Sequence, residues 1–294
     1  GALAYTARPV PFWPAHDPGG GPLADVFALA VHDFRMQTFF TLAGFFGALL
    51  HARYGTLGLL RHRFARIAVP LAAGVLVLNP PLQALWLVGD PRALTAVGID
   101  PPAGPWQDML ADHFGAGRWL LALQPLHLWF LYYLLLYVAA VAVLTPLLYR
   151  LTGTRLLARA DAAFRWVVAG RGRVLVPAAL TFPLMVPMKW VVDTPSRWNP
   201  EWHIVGYYGA FFAFGWMLYR QRDLVPAFGR RWRLHLAVGN LVLLPAMLAL
   251  IVSGHAAEKA GAQSATGLKL GAHAASVLYT WLMITGLWGA FLHW

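Results

Sequence analysis

The chain has 294 residues, of which 59% are hydrophobic, and a formal net charge of +11 at pH 7. Only 12% of its residues are charged, which is about half the share found in soluble domains, and its mean hydropathy is +0.56. This composition argues against a soluble domain and favours an integral membrane protein. The sequence contains no cysteine, which excludes disulfides, thiolate metal sites and a cysteine nucleophile within it.

The first 25 residues contain no complete membrane span. Residues 1–6 (GALAYT) are apolar but too short to cross a bilayer, and we expect them to be the last turn of a helix that begins upstream. Residues 7–25 are rich in proline and glycine, so the sequence predicts an extramembrane loop there.

Apolar runs of roughly 20 residues recur along the rest of the chain, and each is long enough to span the hydrocarbon layer as a helix. We therefore predict an all-α fold, a polytopic helical bundle that forms a single membrane domain over residues 1–294. The seven predicted spans are 26–50, 67–88, 126–148, 174–192, 203–219, 234–252 and 268–292. Within the long loop 89–125, residues 106–123 are predicted to form a helix on the membrane surface.

The basic residues are concentrated in three segments between apolar runs. Segments 51–66, 149–173 and 220–233 hold 15 of the 23 Lys and Arg residues, whereas the loops on the opposite side hold six. Such a bias places the basic loops in the cytoplasm, and we expect a multi-pass protein of the inner (plasma) membrane. Because the charge follows membrane topology, it does not indicate a nucleic-acid partner.

Arg35 is the most informative single residue, because a charged side chain inside a span is costly to bury and is a functional hypothesis by default. His32 lies three residues earlier and so shares its helical face, while Asp33 points elsewhere. The alternative is that Arg35 extends to the outer interface and that His32 is only interfacial.

Arg61, Arg63 and Arg66 mark the cytoplasmic start of the second span, and Pro70 follows one turn later. Arg63 and Arg66 share a helical face, and guanidinium groups pair bidentately with phosphate oxygens. The alternative is that these arginines only set topology and attract anionic lipid.

On the predicted outer side, His127 and Trp129 open the third span, and Glu201 lies in a short loop rich in Trp and charge. Tryptophan beside carboxylates suits a sugar, although an aromatic belt at the interface has the same composition. Lys189 lies near the outer end of its span and is expected to extend to the interface.

The sequence lacks several well-known catalytic signatures. It contains no GxxxxGK[ST] nucleotide loop, no HExxH, no GxSxG and no H-x4-D acyltransferase box, and its histidines lack metal-ligand spacing. We therefore predict neither a metal site nor a bound cofactor.

Three segments of the chain resemble the membrane acyltransferase 3 family, and especially its glucan biosynthesis protein C branch. They are HDFRMQTFFTLAGFF at 32–46, RHRFARIAVPL at 61–71 and HLWFL at 127–131, and their order and spacing also fit. GALAYT at 1–6 resembles the end of that family's first helix. The close resemblance covers roughly residues 1–135.

The resemblance implies an enzyme of about ten helices that passes an acyl group from a cytoplasmic donor, acyl-CoA, to a hydroxyl of a carbohydrate or glycolipid at the outer face. In the glucan branch the acyl group is succinyl and the acceptor a periplasmic glucan. The family's catalytic histidine, a general base near neutral pH, is expected immediately before Gly1, and its last helices beyond Trp294.

The resemblance also implies roles for the candidate residues. Arg63 and Arg66, with Arg61, would hold the acyl donor. His32 and Arg35 would polarise the acyl carbonyl or orient the catalytic base. The acceptor would be held by three further residues. Those three are His127, Trp129 and Glu201. The partners expected are therefore the lipid bilayer, acyl-CoA as co-substrate and the acceptor. A transporter of an anionic solute, passing Arg35 and Lys189, is the alternative function, and inverted repeats would favour it.

Overall fold

The computed structural model describes residues 21–89, 104–152 and 154–294, and every regular element in those ranges is helical. The α-helices are α1 (Pro22–Arg63), α2 (Val69–Gly89), α3 (Trp106–Gly115), α4 (Arg118–Leu121), α5 (Trp129–Thr152), α6 (Arg155–Ala169), α7 (Leu175–Met185), α8 (Trp202–Arg220), α9 (Val225–Phe228), α10 (Trp232–Val238), α11 (Leu244–Lys259) and α12 (Ser264–Leu292). The predicted all-α class is confirmed for the described residues.

Four helical runs within the described ranges are long and apolar enough to cross a membrane: Pro22–Gly89, Arg118–Leu147, Trp232–Lys259 and Ser264–Leu292. The first contains two of the seven predicted spans. The others match the third, sixth and seventh, and α8 matches the bounds of the fifth without meeting the same criterion. These apolar helices indicate a membrane protein, and the count of seven spans stays a prediction.

The fourth predicted span is wrong in length, because α7 ends at Met185 instead of reaching residue 192. Pro187 explains the early end, since it has no N–H to continue the helical hydrogen bonds; Val186 before it still has helical angles, with φ of −53° and ψ of −40°. The chain from 186 to 200 is irregular.

Two segments predicted as loops are largely helical. Segment 51–66 lies in helix apart from Gly55, whose φ of 67° and ψ of −175° interrupt α1. Segment 149–173 contains the 15-residue helix α6. The predicted loop 7–25 is also too long, because α1 begins at Pro22; its first 14 residues and the segment 1–6 lie outside the described residues, as does most of the loop between 89 and 106. The helix predicted over residues 106–123 is present as two helices, α3 and α4, which are separated by Gly117 in a left-handed conformation with φ of 70°; its place on the membrane surface stays a prediction.

Two helical runs contain a π-helical turn, Phe64–Ala68 and Gly239–Leu243. In both, a proline follows the turn by two residues, at Pro70 and Pro245. Proline lacks the N–H that would continue the α-helical ladder, and the preceding N–H bonds five residues back instead.

The described residues form two compact units. The first comprises 21–29, 61–89, 104–136 and 194–200, and its core contains Trp86 and Leu87 of α2 with Met109 of α3 and Leu126. Gln83 of α2 accepts a hydrogen bond of 2.8 Å from the buried His113 of α3 and donates one of 3.1 Å to the Ala122 carbonyl.

The second unit comprises 30–60, 137–152, 154–193 and 201–294, and α12 lies at its centre, in contact with α7, α10 and α11. Trp281 of α12 stacks on Phe211 of α8 at 4.7 Å between ring centroids. Glycines let helices α1 and α8 touch through their backbones: a methyl group at Gly44 would overlap the Phe212 carbonyl, and one at Gly215 would overlap that of Thr41. Small residues at such crossings are the usual means of close helix packing in membranes.

Candidate functional site

A polar site in the second unit is built around residues 186–193, the irregular chain that follows α7. Three side chains donate to backbone carbonyls of this 186–193 segment. His32 of α1 contacts the Val192 carbonyl at 3.0 Å, His273 of α12 the Lys189 carbonyl at 2.6 Å, and Tyr208 of α8 the Asp193 carbonyl at 3.2 Å. Three helices thus fix one stretch of non-helical backbone.

The two carbonyl contacts determine where the imidazole hydrogens lie. A carbonyl oxygen only accepts, so Nε2 carries the hydrogen in both His32 and His273, and in each neutral ring Nδ1 is the basic nitrogen. Nδ1 of His273 is buried, with no partner among the described residues. The side chain of His32 is half-buried.

Asp33, beside His32, is the best-buried charged residue of the site, with 1% of its surface exposed. Its carboxylate oxygens each lie 2.8 Å from the Ser276 hydroxyl, and its backbone carbonyl accepts a hydrogen bond of 2.8 Å from Thr280. Ser276 and Thr280 are four residues apart on α12 and so lie on one face. Asp33 therefore joins the first described helix to the last.

The polar contacts continue one turn further along α1. Gln37 is fully buried, and its amide nitrogen lies 3.4 Å from the hydroxyl of Tyr207. The side-chain amide oxygen of Gln37, Oε1, is buried without a partner in the described part of the chain. An unpaired amide oxygen in an apolar interior is unfavourable, so Gln37 has an acceptor that the described residues leave unused.

Arg35 differs from its neighbours because its side chain is exposed. Asp193, at the end of the 186–193 segment, accepts a hydrogen bond of 3.3 Å on its carboxylate from the Lys189 backbone N–H. The site thus contains an exposed guanidinium, an oriented imidazole and the Asp193 carboxylate, which are kinds of group used in acyl transfer to an alcohol.

The predicted donor arginines lie in the first unit. Arg61 and Arg66 are exposed and Arg63 is half-buried, with its Nε enclosed and unpartnered among the described residues. Arg66 lies within the π turn Phe64–Ala68, and Arg63 directly precedes that turn. Because a π turn takes more residues than an α turn, the two side chains do not share a face in the simple way that α-helical spacing predicts.

The predicted acceptor residues His127 and Trp129 also lie in the first unit. His127 lines an almost wholly apolar cavity of about 380 Å³ between α2 and residues 125–128. Leu126, the residue before it, has a φ of 45°, a left-handed conformation that is strained for leucine and typical of functional sites. Trp129 is 5% exposed and packs edge-on against Tyr133 at 5.5 Å between ring centroids.

Glu201, the third predicted acceptor residue, belongs to the second unit. It is exposed at the start of α8, with its carboxylate 3.6 Å from Nε2 of His203. No group of three or more potential metal ligands occurs among residues that the structure describes.

Residues 10–294 match the acyltransferase 3 family, which is described as an acyltransferase domain. The chain belongs to that family. It is therefore an acyltransferase, an enzyme that transfers groups other than aminoacyl groups. No curated protein matches the chain, and no solved structure does.

Of the residues predicted for this acyltransferase, the structure brings His32 and Arg35 together on α1, as the three-residue spacing predicted. His273 contacts the same 186–193 segment as His32, Asp193 belongs to that segment, and Asp33 is held by Ser276 and Thr280; none of these three was predicted from the sequence to have a role in the site. Asp33 could have been predicted as a site residue, because it is an acidic residue next to a histidine inside a predicted membrane span. Nothing local pointed to His273, because its partner lies 84 residues away. The histidine expected immediately before Gly1 is not one of the 294 residues of the sequence, and it stays a prediction.

Proposed function

We propose that this acyltransferase moves an acyl group from acyl-CoA at the cytoplasmic face to a hydroxyl of a carbohydrate or glycolipid at the outer face of the inner membrane, as in the glucan branch that its motifs resemble. The polar site around the 186–193 segment is the place of transfer. The observation that carries the proposal is the orientation of His32, whose Nε2–H is held by the Val192 carbonyl, which leaves Nδ1 as the basic nitrogen.

This orientation favours proton acceptance over carbonyl polarisation as the role of His32, because its only N–H is already engaged. This role departs from the family resemblance, which places the general base in a histidine before Gly1. Nδ1 takes the proton of the acceptor hydroxyl as the hydroxyl oxygen attacks the thioester carbonyl carbon. Negative charge then develops on the carbonyl oxygen, where the Arg35 guanidinium stabilises it. The C–S bond breaks, the ester forms, and the leaving thiolate takes the proton from the imidazolium.

The remaining roles follow the family resemblance. Arg61, Arg63 and Arg66 bind the donor phosphates, and the half-buried, unpartnered Arg63 supports this assignment. His127, Trp129 and Glu201 help to hold the acceptor. Of these three, His127 has the clearest support, since it lines a cavity beside a strained residue.

Substitution of Arg35 tests the site. Arg35→Ala should lower the rate of acyl transfer in membranes by about 100-fold or more. The amount of folded protein should not change, because the Arg35 side chain is exposed. Arg53→Ala is the matched control, since Arg53 is an exposed arginine on the same helix. Normal transfer by the Arg35 variant would remove that residue from the mechanism.

The proposed topology has seven spans in this chain and cytoplasmic segments at 51–66, 149–173 and 220–233. The absence of cysteine from the sequence makes single introduced cysteines specific reporters. Cysteines in place of Arg53, Arg159 and Arg222 should be labelled by an impermeant maleimide only after the cytoplasmic face is opened. Labelling in intact cells would reverse the orientation.

A further inference from the structure

A cleft rich in arginine lies in the second unit. Its lining residues are separate in sequence from those assigned to acyl transfer. It has a volume of about 620 Å³ and lies where the turn between α9 and α10 meets the end of α12. It is lined by Arg230, Arg231, Trp232, Arg233, Leu234 and His293. We refer to these six residues as the basic cleft.

The cleft is held in place by close packing. A methyl group at Gly229 would overlap Gly289 of α12, and one at Gly289 would overlap the Gly229 carbonyl and Trp232. The glycines therefore let the turn lie directly on α12, which brings the Trp232 and His293 rings to 6.2 Å between centroids. His235 and Thr285, 2.8 Å apart, secure the next turn of α10 against α12.

The cleft concentrates positive charge. Its three arginines are joined by Arg173, which is 7% exposed and donates to the Ala227 carbonyl. Burial lowers the pKa of Arg173, and the nearby charges of Arg230 and Arg231 lower this pKa further. Like charges that are partly shielded from water repel one another more strongly than free surface charges do.

The neighbouring carboxylates do not neutralise this charge. Asp223 is bound by Arg165 at 2.6 Å and Asp161 by Arg220 at 2.7 Å. Within the described ranges no carboxylate forms an ion pair with Arg230, Arg231 or Arg233. A general excess of cytoplasmic arginine accounts for exposed side chains on mobile loops, but not for a glycine-packed cleft backed by a buried arginine.

We propose that the basic cleft binds an organic phosphate, with the guanidinium groups of Arg230 and Arg231 pairing with the phosphate oxygens. Guanidinium forks match phosphate in geometry and charge. The Arg233 guanidinium lies 5.1 Å from the centre of the Trp232 ring, a cation–π contact that orders this side of the cleft. The phosphate comes either from a nucleotide such as the coenzyme of the donor or from a phospholipid headgroup.

The test uses the full chain and two probes. Adenosine 3′,5′-bisphosphate, which carries nucleotide phosphates without a thioester, is titrated into detergent-solubilised protein by calorimetry. Thermal unfolding is measured in nanodiscs of phosphatidylcholine with and without phosphatidylglycerol. The variant is Arg230→Gln with Arg231→Gln, and the matched control is Arg155→Gln with Arg159→Gln, since all four arginines are exposed and the charge change is equal.

Two results support the site and identify its ligand. Binding of the bisphosphate at least about tenfold weaker in the cleft variant than in the control identifies a nucleotide phosphate. Loss of a phosphatidylglycerol-dependent rise in Tm in the cleft variant alone identifies a lipid headgroup. If the two double variants behave alike with both probes, the proposal is overturned. Repeating the titration with Arg66→Ala separates the cleft from the proposed donor arginines. Because binding is measured, the outcome does not depend on the proposed function.

Discussion

Two polar regions along helix α12 differ in whether their charged groups have partners within the protein. Near its middle, Ser276 and Thr280 surround Asp33, a buried charge whose hydrogen bonds are made within the protein. Near its end, Gly289 packs against Gly229 behind the basic cleft and His293 lines the cleft, whose exposed arginines form no ion pair with a carboxylate among the described residues. Thirteen residues, or about 20 Å of helix, separate Ser276 from Gly289. A buried charge whose hydrogen bonds are made within the protein stabilises the fold, whereas a cluster of arginines without ion-pair partners is available to bind an anionic ligand.

Removal of the Ser276 hydroxyl should have the largest effect on stability. Ser276→Ala leaves the buried Asp33 carboxylate without its hydroxyl partner, which should lower the free energy of unfolding by about 2–3 kcal/mol. Unfolding by denaturant in mixed micelles measures the change. Ser253→Ala, at an exposed position of α11, is the control and should change the stability by less than about 0.5 kcal/mol. Equal effects would show that Asp33 does not depend on Ser276.

Closing the glycine contact behind the basic cleft should have the next largest effect. Gly289→Ala places a methyl group against the Gly229 backbone and should destabilise the protein by about 1–3 kcal/mol. Gly267→Ala on the same helix meets no neighbouring atom within 4 Å and should be neutral or stabilising. Thermal unfolding of the pair compares them directly. If Gly289→Ala is as stable as Gly267→Ala, the turn does not lie on α12 as described.

The buried His113 should give a smaller effect that depends on pH. Burial, followed by the nearby Arg118, lowers the pKa of His113 below its ordinary value of 6.5. As the pH decreases, His113 is therefore protonated in the unfolded chain at a higher pH than in the folded protein. Its contribution to the free energy of unfolding is fully present above pH 6.5 and decreases below that pH, by at most about 1.4 kcal/mol per pH unit for one proton.

The control for this effect is His113→Gln, which keeps a donor for the Gln83 oxygen but does not titrate. The unfolding midpoint of this variant should lose part of the pH dependence between pH 7 and 5. An unchanged profile would show that another group titrates in this range.

Local sequence patterns predicted most of the helices, since apolar runs and charge bias are properties of adjacent residues. The π turn before Pro70 and the end of α7 before Pro187 follow from the missing proline N–H and were readable in principle. Helix α6 was missed because its arginines were counted as topology signals, although Leu156, Phe164 and Val168 recur at helical spacing.

The candidate site was only partly predictable. The face shared by His32 and Arg35 follows from helical spacing alone. By contrast, Asp33 meets Ser276 across 243 residues, and Gly229 meets Gly289 across 60. Such contacts are set by how the helices pack, and no periodicity within either segment encodes them.

The most direct test of the proposed transfer site compares two substitutions of His32. Glutamine can still donate to the Val192 carbonyl but cannot accept a proton as a base, whereas alanine does neither. Membranes containing each variant of the full chain are supplied with radiolabelled succinyl-CoA or acetyl-CoA and a periplasmic glucan. We predict that both His32→Gln and His32→Ala lose transfer by about 100-fold or more. Full activity of His32→Gln would contradict the account, because His32 would then only hold the 186–193 segment in place.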